Sequence, residues 1–294
     1  MDAESPQPTP KLSRGRRMLN YFLLGFLPVL VYMIGCQTDR IAWSLLFHPP
    51  KHPKGYWESQ PASCEDVRFV NARNETLHGW YFPFDGTAKA VILYCHGNAE
   101  NVSFLGGVAG ELRQRLQSSI LVFDYAGYGK SEGSPSASGI LEDGRAARRW
   151  LAERNGIPES EIVVYGQSLG GAVAVDLAAK DEARAMIVES SFTSLGDMGR
   201  LMFPLLPVNG LLKENLASIK KIGHFYGPVF ISHGKADSVV PFGQGKRLFK
   251  AANEPKTFYV PISGVDYHSA PLSSEHLEKL REFIEELVDG TTAQ

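Results

Sequence analysis

A serine with the context of a nucleophile stands at the centre of Gly166-Gln167-Ser168-Leu169-Gly170. An apolar run of strand length, Glu161–Tyr165, precedes it, and the Ala-rich segment 171–180, which reads as a helix, follows. A tight turn between strand and helix exposes a serine hydroxyl, and glycines two positions away on each side leave room for that turn. This context predicts that Ser168 is a nucleophile. The alternative is a glycine-rich turn with a structural role only.

Two further residues have the side chains that activate a serine hydroxyl. Asp237 and His268 each follow a predicted strand. A serine hydroxyl is a weak nucleophile unless a base lies beside it, so we expect His268 to take the proton of Ser168. Asp237 would hold the imidazole in the required tautomer and stabilise the imidazolium. Asp266 and Glu189 are the alternative carboxylates.

Other histidines compete with His268 for the role of base. His96 and His233 each precede a glycine at a strand end, where an imidazole more often braces the loop. His276 falls within a predicted helix, and we expect it on the exposed face of that helix. The prediction therefore stays with His268.

The developing oxyanion needs two backbone N–H donors. One is predicted to be Leu169, the residue after the nucleophile, and the other comes from the loop His96–Ala99 after the third strand. We choose Asn98 for that second donor, with Ala99 as the next candidate. The alternative role of the Asn98 side chain is to cap the following helix.

The sequence gives no indication of a cofactor, a metal site or a nucleic-acid partner. The glycine-rich stretch Asp124–Gly133 lacks G-x-G-x-x-G spacing and a Lys-Ser/Thr pair in register, so we predict that it shapes a loop beside the site. The three cysteines form neither a disulfide framework nor a C-x-x-C pair. The net charge of -2 gives no case for nucleic acid.

Strands and helices alternate along most of the chain. An antiparallel hairpin is predicted at 67–70 and 77–82, with strands at 90–95, 120–123, 162–165, 185–188, 229–232 and 256–262. Helices are predicted at 104–116, 142–153, 171–180 and 275–287. This alternation predicts an α/β fold with a mostly parallel sheet, whose ligands bind beyond the carboxyl ends of the strands. Ser168, Asp237 and His268 each follow such an end, in that order.

The N-terminal region has the features of a membrane-targeting segment. We predict a disordered basic N-terminus at 1–17, then nineteen uncharged residues at 18–36 (MLNYFLLGFLPVLVYMIGC) that are long enough to span a bilayer. The basic cluster before this segment predicts a cytoplasmic N-terminus and a catalytic domain on the non-cytoplasmic side.

The end of the segment allows two modes of anchoring. Met33-Ile34-Gly35-Cys36 resembles a lipobox, so the protein is either a lipoprotein acylated at Cys36 or a single-pass protein with an uncleaved anchor. Met33, in the place of the usual leucine, favours the uncleaved anchor. The rest is predicted to be a linker or extended wrap at 37–62 and one domain at 63–294, with an apolar lid at about 193–226.

Five phrases resemble the α/β-hydrolase superfamily. They are LYCHGNAEN (93–101), VFDYAGYGKSEGSP (122–135), VVYGQSLGGAVA (163–174), ESSFTS (189–194) and SHGKADSVVPF (232–242). The likeness spans about 65 to 288 and is closest to the serine aminopeptidase-like or Bem46-like branch, which includes ABHD13- and ABHD17-type proteins. It implies an α/β-hydrolase fold and a serine hydrolase that needs no cofactor. The turn before His268 departs from the Gly-x-Gly-His pattern of that branch.

We therefore expect a membrane-tethered serine hydrolase acting on a small-molecule or lipid-like acyl ester or thioester. A peptidase of the serine aminopeptidase-like type is the alternative enzyme. A non-catalytic binding protein with the same fold is the alternative from another class.

Overall fold

The computed structural model of the protein describes residues 47–202, 216–261 and 272–290. The predicted segments 1–17 and 18–36, with Cys36, lie outside these residues, as do His268 and Asp266. No helix within the three described ranges has the length and apolar character needed to cross a membrane.

An eight-stranded sheet forms the centre of the described residues. Its strands are β1 (Glu65–Val70), β2 (Thr76–Phe82), β3 (Val91–Cys95), β4 (Ser119–Phe123), β5 (Ile162–Gln167), β6 (Ala185–Glu189), β7 (Val229–Ser232) and β8 (Lys256–Tyr259). They lie in the order β1-β2-β4-β3-β5-β6-β7-β8. β2 is antiparallel to both β1 and β4, and all other neighbours are parallel. The predicted fold class and edge hairpin are confirmed.

The burial of the strands follows their sequence patterns. Every residue of β4 and β5 is buried, as expected for parallel strands covered on both faces. β1, at the edge, alternates exposed and buried positions over most of its length. In the register of the central strands, Cys95 pairs with Gly166, and Gln167 pairs with Glu189. The carboxyl ends of β3, β5 and β6 therefore lie side by side.

Helices cover both faces of the sheet. In the described ranges they are α1 (Val102–Leu116), α2 (Ala137–Asn155), α3 (Leu169–Asp181), α4 (Leu195–Met202), α5 (Ser218–Lys221), α6 (Phe242–Ala251) and α7 (Ser274–Asp289). α1 and α7 pack into one apolar core with residues such as Ile92 and Tyr94 of β3. α2, α3 and α6 pack into the other with Leu93 and Cys95. Alternate residues of β3 thus face opposite layers.

The bounds of several elements differ from the sequence prediction. α2 begins at Ala137, five residues earlier than expected, because Ser136 caps it by accepting from the N–H of Gly139 at 3.0 Å. β8 ends at Tyr259 and not at 262. α6 was not predicted at all, and it begins directly after Pro241.

Two predicted connecting regions are described only in part. The predicted lid 193–226 contains α4 and α5, and Leu195 and Met198 are buried, but residues 203–215 lie outside the description. The lid therefore stays a prediction. The predicted linker 37–62 is described from Phe47 onward, where it runs against the domain and buries Phe47.

Candidate active site

The turn between β5 and α3 holds Ser168 in a strained backbone conformation. Its φ is 51° and its ψ is -112°, a region that side-chain-bearing residues rarely adopt. The N–H of Ser168 donates to the carbonyl of Glu189 at 2.9 Å. The Ser191 hydroxyl donates to the carbonyl of Ser168 at 2.8 Å. Both contacts come from the end of β6 and the residues just after it, which fix the serine at the carboxyl edge of the sheet.

The glycines around Ser168 are required by close packing. A Cβ on Gly166 would lie 2.1 Å from the carbonyl oxygen of Gly170. A Cβ on Gly170 would lie 1.9 Å from the carbonyl oxygen of Cys95 at the end of β3. Both distances are far below van der Waals contact, so larger residues do not fit. The predicted steric role of the two glycines is confirmed.

The loop after β3, His96–Asn101, lies beside the serine, and we call it the oxyanion loop after its predicted role. A Cβ on Gly97 would lie 3.8 Å from Ser168 Cβ. The N–H of Gly97 donates to Glu100 Oε2 at 3.0 Å. Leu169, the other predicted donor, is the first residue of α3. The oxyanion roles of Asn98 and Leu169 stay predictions.

The Asn98 side chain does not cap the following helix. Its Oδ1 accepts from the Tyr128 hydroxyl at 2.7 Å and from the His48 N–H at 3.2 Å. The cap of α1 is Asn101, whose Oδ1 accepts from the N–H of Ser103 at 3.0 Å. The alternative that Asn98 is the helix cap is therefore wrong.

Asp237 lies in the loop after β7 and is almost fully buried. Its Oδ1 accepts from the N–H groups of Val239 at 2.9 Å and Val240 at 2.8 Å. Its Oδ2 lies 3.4 Å from His233 Nε2. Two neutral backbone donors therefore fix one oxygen of the carboxylate.

The described residues contain the predicted nucleophile, Ser168, and the predicted orienting carboxylate, Asp237, but not the predicted base. His268 and the alternative carboxylate Asp266 lie outside the description. The structure therefore brings Ser168 to the same sheet edge as Asp237, while the role of His268 stays a prediction.

His96 and His233 brace their loops, as expected. Both are buried; His96 Nδ1 donates to the carbonyl of Gly97 at 2.7 Å, and His233 Nε2 donates to the carbonyl of Val240 at 2.8 Å. Burial lowers the pKa of His96, although Asp124 and the Gly97 carbonyl act in the opposite direction. His96 is thereby kept neutral near pH 7.

The prediction of an exposed His276 is wrong. His276 is fully buried at the start of α7, and its Nε2 lies 2.7 Å from Glu189 Oε1. Its ring packs at 5.1 Å from the ring of Tyr259. Glu189, the alternative carboxylate for the triad, is thus engaged with a different histidine. Residues Leu280 and Phe283, four and seven positions after His276, are also buried, so helical periodicity could have placed His276 on the inner face.

Two residues near the serine were not singled out from the sequence. Glu100 holds the N–H of Gly97, and burial raises the pKa of its carboxyl, against the hydrogen bond from that N–H. Tyr128 is fully buried and holds Asn98. Glu100 contacts a residue three positions before it, whereas Tyr128 contacts Asn98 thirty positions before it, and no sequence motif marks either contact.

The arrangement favours nucleophilic chemistry. A strained serine, the loop His96–Asn101 and a carboxylate lie beyond the ends of β5, β3 and β7, where α/β proteins bind ligands. Within residues 47–202, 216–261 and 272–290, no group of three or more His, Cys, Asp or Glu side chains could hold a metal ion.

Comparison with known proteins also indicates a hydrolase. The family model described as "Serine aminopeptidase, S33" matches residues 86–221. The uncharacterized protein Rv2307c of Mycobacterium tuberculosis is 35% identical over 88% of this chain and 95% of its own length. Alpha/beta hydrolase domain-containing protein 17B of Xenopus tropicalis is 34% identical over 90% of this chain and 91% of its own.

Among solved structures, the Pyrococcus furiosus esterase Pf2001 is similar in fold. It superposes with a TM-score of 0.66 at 19% identity, covering 83% of this chain and 98% of the esterase. At that identity the likeness concerns the fold alone.

Proposed function

Because the chain belongs to the α/β-hydrolase superfamily, we propose that it is a membrane-tethered serine hydrolase that cleaves a carboxylic ester or thioester. The family supports an esterase-like hydrolase. The observation that carries the finer proposal is the strained Ser168, held between β5 and α3 by contacts from the residues at and after the end of β6.

The proposed reaction proceeds through an acyl-enzyme. Ser168 Oγ attacks the carbonyl carbon while His268 takes its proton, and the carbonyl oxygen becomes an oxyanion. The N–H groups of Asn98 and Leu169 stabilise that charge. The C–O or C–S bond then breaks, and the leaving group takes the proton from His268. Water, deprotonated by His268, attacks the acyl carbon and releases the acid and Ser168.

Asp237 orients His268 in this proposal. An orienting carboxylate needs a fixed position, and the two amide N–H groups that donate to its Oδ1 supply it. The backbone donors of Val239 and Val240 are neutral, so the hydrogen bonds that hold Oδ1 place no additional charge beside the imidazolium.

The substrate class follows from the sequence more than from the described residues. The predicted anchor 18–36 and the apolar residues of the predicted lid support a lipid-like acyl ester or thioester. The family description "Serine aminopeptidase, S33" supports a peptidase as the second candidate. A panel of p-nitrophenyl esters, acyl-CoA thioesters and aminoacyl arylamides separates these activities.

A fluorophosphonate probe tests the proposed nucleophile. We expect wild-type protein to be labelled and Ser168→Ala not to be labelled. Ser160→Ala, which changes a serine next to the opposite end of β5, serves as the matched control and should label like wild type. A folded wild-type protein that neither labels nor hydrolyses any ester, thioester or amide would instead support a non-catalytic binding protein.

The membrane tether is tested separately. We expect the full chain at a membrane and a chain starting at Ala42 in the soluble fraction, with its hydrolytic activity retained. If Cys36 is acylated, the mature protein is lighter than the full chain, and Cys36→Ala blocks that processing. If the anchor is uncleaved, Cys36→Ala changes neither mass nor location. Wild-type protein found soluble in the cytoplasm would contradict both modes.

A further inference from the structure

The first described residues run across two loops of the candidate site. We call residues 47–57 the strap. Phe47, its first residue, is buried. Trp57, its last residue, packs edge to face against Trp80, with 6.0 Å between the ring centroids. The strap is therefore fixed to the domain at both ends.

The middle of the strap pairs with the glycine-rich loop Asp124–Gly133. The N–H of His52 donates to the carbonyl of Gly129 at 2.9 Å, and the N–H of Gly129 donates to the carbonyl of Pro50 at 3.1 Å. These bonds form a short parallel bridge centred on Lys51. The strap and the glycine-rich loop thus form one backbone unit.

The strap also holds the far end of the oxyanion loop. Asn101 is fully buried, and its Nδ2 donates to the carbonyls of Pro50 and Lys54, each at 2.9 Å. The same side chain caps α1 through Oδ1. One amide therefore ties the oxyanion loop, the helix after it and the strap together.

The strap and the glycine-rich loop both contact Asn98 in the oxyanion loop. Its Oδ1 accepts from the His48 N–H of the strap at 3.2 Å and from the Tyr128 hydroxyl of the glycine-rich loop at 2.7 Å. Two donors on one planar amide oxygen restrict rotation of the side chain. The amide is joined to the Asn98 Cα through only two single bonds. Fixing the amide therefore also narrows the range of positions that the Asn98 backbone can take.

We propose that the strap and the glycine-rich loop together form a positioning element of the hydrolase, in which His48 of the strap and Tyr128 of the loop orient the Asn98 peptide toward the oxyanion. The inference rests on the proposed function, since it assumes that the Asn98 N–H is an oxyanion donor. Such donors accelerate the reaction only when they are aimed before charge develops. The orientation matters most in the transition state, so its loss lowers kcat more than it changes KM.

Tyr128→Phe in the full-length protein removes one of the two donors. We expect kcat on a p-nitrophenyl ester to fall about 10-fold, with KM changed less than about twofold, because a misaligned donor loses only part of its effect. Tyr81→Phe is the matched control: its hydroxyl donates to Asn155 Oδ1 at 2.8 Å, away from the oxyanion loop. It should keep kcat within about twofold of wild type.

A pair of substitutions at His48 tests the strap itself. His48→Pro removes the backbone N–H that donates to Asn98, whereas His48→Ala keeps it. We expect His48→Pro to lower kcat about 10-fold. His48→Ala keeps the N–H but loses the 3.5 Å contact between the ring Nδ1 and Asn98 Nδ2, so it should lower kcat less than His48→Pro does. Combining His48→Pro with Tyr128→Phe should cost about 100-fold or more, because the amide then has neither donor.

Phosphonylation by a fluorophosphonate gives a second readout, since it also develops negative charge on an oxygen. Its rate should fall in parallel with kcat in each variant, at an unchanged melting temperature. If Tyr128→Phe and folded His48→Pro both keep kcat and labelling within twofold of wild type, or if only KM changes, the inference is overturned. If His48→Pro does not fold, Tyr128→Phe against Tyr81→Phe decides. A folded wild type with neither activity nor labelling overturns the proposed function first.

Discussion

Two regions of the molecule bury ionisable groups in opposite ways. At the carboxyl edge of the sheet, Asp237 is held by the backbone N–H groups of Val239 and Val240. On the flank formed by α2 and α3, the fully buried Asp176 contacts a guanidinium and two ammonium groups. These belong to Arg145 at 2.8 Å, Lys180 at 2.9 Å and Lys221 at 2.5 Å.

The nature of the partners separates the two regions. Burial acts to raise the pKa of Asp176, but hydrogen bonds from Lys221, Lys180 and Arg145 outweigh it and hold the pKa below its ordinary value. A carboxylate held by three cationic side chains stabilises the fold, and its oxygens are already engaged in ion pairs. At the sheet edge, two neutral backbone N–H groups hold Asp237 Oδ1. Burial of a charged group alone therefore does not mark a functional site.

The largest effect should come from the sheet edge. Ser168→Ala and His268→Ala are each expected to lower kcat about 10⁴-fold or more, and Asp237→Asn by a similar factor, because the members of the proposed triad would act as one unit. A double variant should be scarcely slower than a single one. The free energy of unfolding of Ser168→Ala should stay near that of wild type, since the backbone contacts of the elbow remain.

Steady-state kinetics with urea titration of each variant checks this expectation. If His268→Ala kept more than about a tenth of wild-type kcat/KM, a cost below ~1.4 kcal/mol, the base would have to be another residue. Independent, multiplicative losses in the double variants would argue against a triad.

The flank should show the reverse pattern. Asp176→Ala leaves three cations around an empty site, so we expect a loss of about 3 kcal/mol in the free energy of unfolding. The value lies at the low end for buried pairs because the Lys180 side chain is 55% exposed and gains hydration. In folded protein, kcat should stay within about twofold of wild type.

Asp181→Ala is the control for this cluster. Asp181 also contacts Arg145, at 2.8 Å, but its side chain is 33% exposed, so its removal should cost less than about 1 kcal/mol. Equal losses in the two variants, measured by urea unfolding, would show that burial of Asp176 adds nothing.

Local sequence patterns predict the elbow at the sheet edge but not the ion-pair cluster on the flank. The elbow at Ser168 and the strands around it follow from short motifs and apolar runs, which need only neighbouring residues. The Asp176 cluster joins α3 to α2 and α5, and no local pattern records such a meeting. His276 shows the same limit, since its partner Glu189 lies 87 positions earlier in the sequence. The histidine's burial could be read from helical periodicity, but its partner could not.

The pH dependence of activity should report the sheet edge alone. In the proposed mechanism only neutral His268 accepts the proton of Ser168, so kcat/KM should rise with pH through an apparent pKa of ~6.5, the ordinary value for histidine. Between pH 8 and pH 5 we expect a fall of about 30-fold from the protonated fraction. A flat profile in folded protein, under conditions where chemistry limits the rate, would count against this base.

The smallest effect separates the two regions by the pH at which each loses stability. The folded-state pKa of His96 is depressed by burial, so the unfolded chain binds more protons below its own pKa of ~6.5. The contribution of His96 is therefore complete above ~6.5 and declines as the pH falls below it, by at most about 1.4 kcal/mol per pH unit. The pKa of Asp176 is also depressed in the folded state, but its unfolded value is ~3.9. Its contribution should persist to about pH 4 and decline only below.

His96→Asn tests this separation, because the asparagine amide can still donate to the carbonyl of Gly97, as His96 Nδ1 does at 2.7 Å, without titrating. Urea unfolding between pH 7 and pH 5 should show a smaller decline in the free energy of unfolding for His96→Asn than for wild type. Asp176→Asn should follow the wild-type slope in that window and differ from it below about pH 4. Each slope is the change in the free energy of unfolding with pH within one variant. A loss of packing that is the same at every pH therefore does not affect the comparison between variants. Identical slopes for His96→Asn and wild type would mean that His96 binds protons equally in the folded and unfolded states. The stability of the sheet edge would then not depend on the titration of His96.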